Sequence, residues 1–89
     1  MEKEYLFSQV DLKRGDIVRV TVDRRANVLM MIPEAYENYK HQINYTYYGG
    51  YAITSPLEIP APFEGKFYVV IDLPGGGELK YSIAVVKGE

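Results

Sequence analysis

Apolar and polar residues alternate through most of the chain, and that period of two is the signature of strands with one buried face. The stretch "EYLFSQV" places Leu6, Ser8 and Val10 on one face and Tyr5, Phe7 and Gln9 on the other. In "DIVRVTVD", Val18, Val20 and Val22 oppose Arg19, Thr21 and Asp23. These β-branched residues suit a half-buried pleated surface. "KRGD" before this strand reads as a turn, with Gly15 free to take positive φ. "RRAN" forms the next polar corner, and "NVLMMI" reads as a mostly buried strand.

Pro33 breaks the alternation. "PEAYENYKHQ" is the one stretch with helical spacing, because proline suits a first helical position and Glu34 sits near the positive end of the helix dipole. Tyr36, Tyr39 and Lys40 would share a face, which could carry two rings onto a sheet. So short a helix needs tertiary packing to persist. "INYTYY" returns to alternation and is expected to end at a sharp Gly49-Gly50 bend. On that reading Tyr45 and Tyr47 share a strand face with Ile43, in the core or at its rim, while Tyr48 points the other way.

"SPLEIPAP" carries prolines at 56, 60 and 62, which fits an edge strand or an extended segment. "GKFYVVIDL" has Phe67, Val69, Ile71 and Leu73 on one face and apolar Tyr68 and Val70 on the other, so it should be central. "PGGGE" is a turn, and "LKYSIAVV" turns Leu79, Tyr81, Ile83 and Val85 inward. The last two strands are expected to pair as a hairpin. The fold class is therefore all-β. The pattern predicts a small single-domain β-sandwich or partly open barrel of about seven to eight short strands, with one short helix near residues 33–41.

The length of 89 residues bounds this to one core, one that buries roughly 60–65% of the unfolded surface. A net charge of −2 argues against nucleic acid as a partner, since such binders present a strongly basic face. The absence of cysteine removes disulfides, thiol nucleophiles and thiolate metal sites. Glu2, Lys3 and Glu4 are not followed by a long apolar core, so a secretion signal is not expected. No apolar run is long enough to span a bilayer. A cytoplasmic location fits these features, and no cofactor is expected.

Reactive constellations are absent. His41 is the one histidine, and it follows Glu37 by four residues at the helix end, where the dipole favours it. "DLPGGGE" is glycine-rich, but a phosphate loop needs a helix after it. "RGD" at 14–16 matches an integrin-recognition tripeptide and reads here as a turn.

The chain resembles the domain of unknown function 1883 family. The matching residues run from Asp11 to Gly76: "DLKRGDIVRVTVD", "ANVLMM", "YENYK", and "YTYYGGYAITSPLEIPAPFEGKFYVVIDL". The resemblance covers roughly three quarters of the chain, with several elements in order. Phe63-Glu64-Gly65 and Phe67-Tyr68 stand where the family typically has His-Ser-Gly and an aromatic followed by histidine. The resemblance implies a compact β-rich fold with no assigned activity, occurring alone or fused to other modules, including signalling domains of the Toll/interleukin-receptor type. A looser likeness is to pre-peptidase C-terminal-type jelly-roll sandwiches.

Four of the nine tyrosines crowd into "NYTYYGGY". Rings beside glycines can stack on a ligand that approaches the backbone closely. The candidate ligand-binding residues are Tyr36, Tyr39, Tyr48, Gly49, Gly50 and Tyr51, with polar contacts from Asn27 and Ser55. This predicts a non-enzymatic binding or interaction module for a protein or small-molecule ligand. The alternative is a small enzyme or glycan-active domain using carboxylates such as Asp16, Asp23 or Asp72. A third reading is self-association through edge strands, since the first strand lacks the prolines that protect "SPLEIPAP".

Overall fold

A computed structural model describes residues 5–52, 56–73 and 78–88, with the backbone alone at 51 and 52. Seven strands and one helix follow in the order β1 (Tyr5–Leu12), β2 (Ile17–Val22), β3 (Ala26–Met31), α1 (Pro33–Lys40), β4 (Tyr48–Ala52), β5 (Leu57–Pro60), β6 (Gly65–Asp72) and β7 (Tyr81–Val86). They form two antiparallel sheets, one ordered β1-β6-β3-β4 and the other β5-β2-β7. The all-β sandwich expectation holds, and the sheets do not close into a barrel.

The inner core lies between the sheets. Val18, Val20 and Val22 of β2 meet Val28 and Met30 of β3 and Phe67, Val69 and Ile71 of β6. Most of these are fully buried, as the alternation requires. Each buried side chain of this size contributes about 1.5–3 kcal/mol of hydrophobic free energy. The second face of β6 is apolar too, because α1 covers it. Leu29, Met31 and Val70 form a floor on which Ala35, Tyr36 and Tyr39 pack.

The hairpin expected between the last two strands does not form. β7 pairs with β2, in the other sheet. The reason lies in β6: with both faces buried it is central, and β1 and β3 occupy its two edges. β7 must then complete β2, whose other edge is taken by β5. β5 is an edge strand, as its prolines predicted.

Asp16 fastens the strand ends. Its Oδ2 accepts the Lys13 N–H at 2.9 Å and its Oδ1 accepts the Gly88 N–H at 3.0 Å, with Lys87 Nζ at 3.5 Å. These bonds hold the buried carboxyl below its ordinary pKa of 3.8, with Gly88 the leading cause. Its own carbonyl accepts the Ala61 N–H at 2.8 Å. A Cβ on Gly88 would fall 2.4 Å from the Gly15 oxygen, so glycine lets the chain end lie against the β1–β2 turn. The Gly-Asp motif is thus a clasp.

Candidate functional site

The helix begins at Pro33 without a side-chain cap and ends at Lys40, with His41 as its C-cap. Gln42 N–H reaches the Tyr39 carbonyl and Ile43 N–H the Asn38 carbonyl, at 3.2 and 2.8 Å. With Gln42 at φ +60, this is a Schellman ending built on a non-glycine residue. It redirects the chain so that residues 43–47 run as irregular backbone, and the strand expected over "INYTYY" is absent. Of its alternating side chains, Tyr45 meets Tyr39 of the helix and Tyr47 meets Tyr45.

Gly49 and Gly50 are not a bend. They lie inside β4, where Gly49 pairs with Leu29 and Gly50 with Val28. A Cβ on Gly49 would lie 2.4 Å from the Val28 carbonyl oxygen, and its φ is +108. Glycine is needed there because the strands approach too closely for a side chain.

A continuous line of rings crosses the outer face of the β1-β6-β3-β4 sheet. Phe7 lies 5.3 Å from Tyr36, which stacks on Tyr68 at 4.3 Å. Tyr5 meets Tyr36 at 6.3 Å and Tyr39 at 5.2 Å, both edge-on. Tyr39 meets Tyr45 at 5.2 Å, and Tyr45 meets Tyr47 at 5.8 Å. Edge-to-face and offset contacts of this kind add to simple burial.

The hydroxyls at the buried middle of the line have partners. The Tyr5 and Tyr36 hydroxyls are 3.2 Å apart, and the Tyr39 hydroxyl donates to Asp72 Oδ2 at 3.4 Å. Lys40 Nζ sits 5.1 Å from the Tyr36 ring centroid. Burial raises the pKa values of both Tyr36 and Tyr39 well above 10.0. The hydrogen bond with Tyr5 adds to the first, and the Asp72 charge to the second.

The sequence-predicted site residues divide accordingly. Tyr36 and Tyr39 are 6% and 5% exposed, so they support the surface from beneath. Tyr48 is 36% exposed at the start of β4, and Tyr51 pairs through its backbone with half-buried Asn27. Ser55 and the Tyr51 side chain lie outside the described residues. Among the described large hydrophobic residues the strongest exposure falls outside the candidate set: Tyr47 at 46% and Ile43 at 56%, both expected in the core or at its rim, and Phe7 at 54%. Helix geometry at Gln42 decides the first two, and no local pattern announces it.

The carboxylates go to three separate duties. Asp16 clasps the strand ends, Asp23 accepts the Lys80 N–H at 3.0 Å, and Asp72 receives Tyr39. Among the described residues no group of three metal-capable side chains forms. His41 lies 3.8 Å from Glu37 at the helix end. A shallow cleft of about 310 Å³ lies at the Leu12–Gly65 end of the sheet, lined by Asp11, Lys13, Glu64, Lys66 and Lys87. Its charges are mixed, and it does not adjoin the rings. Among the described residues no helix is long and apolar enough to cross a membrane.

The model of a family described as a domain of unknown function (DUF1883) matches residues 4–89. The chain belongs to the DUF1883 family. The match extends beyond the Asp11–Gly76 span of the motifs and takes in β1 and β7, so all seven strands and the helix lie within the family's bounds. No curated protein matches the chain, and no solved structure does. Tyr68, which stands where the resemblance places a histidine, is the ring stacked on Tyr36.

Proposed function

We propose that this DUF1883 chain is a non-enzymatic interaction module that takes an extended peptide segment of a partner protein along β4. The observation that carries this is the exposure of Ile43, Tyr47 and Tyr48 in the segment that leads into the edge strand β4. Among the described residues β4 pairs with β3 alone in its sheet, so a peptide can add as a further strand. Among the described residues Gly50 has no neighbour within 4 Å of the position a Cβ would take, so the sheet face is open at that point. The rings add apolar area with few rotatable bonds, and Tyr39 beneath Tyr45 holds that end in place. An acid/base enzyme has less support, because Asp16, Asp23 and Asp72 each serve a separate structural bond.

The test is an amide-resolved NMR titration of the full chain with short extended peptides, short glycans and nucleotides. Peptides are expected to shift residues 43–52, and Tyr47→Ala is expected to weaken that response at least about tenfold, a loss of about 1.4 kcal/mol. A response to glycans or nucleotides alone, or silence across the panel, would overturn the peptide reading.

A further inference from the structure

We propose that β1 is a self-association edge, through which two copies join their four-stranded sheets into one continuous sheet of eight. This lies at the opposite edge of the sheet from β4 and stands independently of the peptide site.

β1 runs eight residues in unbroken register with β6, from Tyr5 opposite Asp72 to Leu12 opposite Gly65. Among the described residues its other edge has no strand beside it. Sheet proteins guard such edges with prolines, charges, bulges or short strands. β5 has all but the bulge: it spans four residues, is flanked or ended by Pro56 and Pro60, and carries Glu58 in a 2.8 Å ion pair with Arg19. β4 is five residues with two glycines. β7 spans six residues bracketed by Lys80 and Lys87. β1 is the longest of the four edges, and Asp11 is its one charge.

The strand is also self-complementary. A two-fold axis perpendicular to the sheet pairs residues of like parity, so each face stays on its own side. With the axis at Ser8, Leu6 lies opposite the second copy's Val10, Phe7 opposite Gln9, and Tyr5 opposite Asp11. Leu6 is exposed and Val10 half-buried, so this register joins two apolar pairs on one face. The lone carboxylate meets a tyrosine and never its own copy, so no like charges oppose.

On the other face Phe7 lies diagonal to its own copy, within reach of a large ring. Phe7 is 54% exposed yet held by Tyr5, Tyr36 and Tyr68, at 6.2, 5.3 and 6.1 Å. A rigid ring at the centre of an interface is the usual form of an energetic anchor. One strand edge with a single anchor per copy belongs to the small, weak class of interfaces, so the dimer is expected in the micromolar range.

Sedimentation velocity on the full chain, from low micromolar to near-millimolar protein, is expected to show a reversible shift toward twice the monomer mass. Phe7→Lys is expected to remove that shift while keeping a dispersed NMR spectrum. Because the chain has no cysteine, single substitutions report which edge meets which. Under mild oxidation Ser8→Cys is expected to cross-link to a dimer, and Ser82→Cys on β7 to stay monomeric. A monomer at every concentration, a dimer that survives in both Phe7→Lys and Gln9→Lys, or preferential cross-linking of Ser82→Cys would overturn the proposal.

Discussion

The line of rings has a middle and two ends, and they differ in kind. In the middle, Tyr36 and Tyr39 are nearly inaccessible, lie on an apolar floor of Leu29, Met31 and Val70, and have their hydroxyls bonded to Tyr5 and Asp72. At the ends, Phe7 and Tyr47 stand about half exposed beside edge strands of the same sheet. Chemically the rings are near equivalents. What separates them is the backbone beneath. α1 presses the middle rings onto the outer face of β6, while the sheet edge at one end and the Schellman ending at Gln42 at the other lift rings into solvent. Aromatic residues of one line therefore fill two roles, and position against the helix assigns them.

The sharpest way to break this contrast is at its centre. Tyr36→Ala should cost about 3–5 kcal/mol, the range for deleting a large buried aromatic, because Tyr68, Tyr5 and Phe7 all lose a partner. Urea unfolding with an unchanged slope would measure it; a loss below about 1 kcal/mol would show that the middle is not core.

Tyr39→Phe keeps the ring and removes one donor to Asp72, a buried carboxylate. A loss of about 0.5–1.5 kcal/mol is expected from the same experiment.

Alkaline pH tests the same two residues without mutation. Their phenols ionise less readily in the folded state than the ordinary value of 10.0 allows, so the unfolded chain releases protons first. Stability is then fully present below pH 10 and falls as pH rises above it. Replacing both with phenylalanine should flatten that fall, read as midpoint denaturant concentration against pH. An equally steep fall in the double variant would contradict the assignment.

At the open end the expected stability effect is smallest. Tyr47→Ala should change stability by no more than about 0.5 kcal/mol, since half the ring is in water and its one ring contact among the described residues is Tyr45 at 5.8 Å. Circular dichroism melts would register a larger loss, which would place Tyr47 in the core with Tyr39.

The parts of the fold that were legible in the sequence are those fixed by local chemistry. The valines of β2 alternate because one face meets the core, and Pro33 sits where its missing N–H costs nothing. β6 read as central because both its faces are apolar. Its partner could not be read, because pairing depends on which edges other strands occupy, and β1 and β3 come from far along the chain.

The candidate site was legible as a concentration of tyrosines and illegible as a surface. Gly49 and Gly50 carried the composition of a turn, yet they serve a close strand contact at the Val28 carbonyl. "INYTYY" carried the period of a strand, yet a left-handed Gln42 sends it elsewhere. Both errors arise where a tertiary contact overrides a local pattern.

Solvent paramagnetic relaxation of the aromatic ring protons, taken on dilute protein with a soluble gadolinium probe, tests the division of the ring line most directly. Strong broadening is expected at Phe7 and Tyr47, and protection at Tyr36 and Tyr39. Broadening of Tyr36 or Tyr39 as strong as that of Tyr47 would contradict the account.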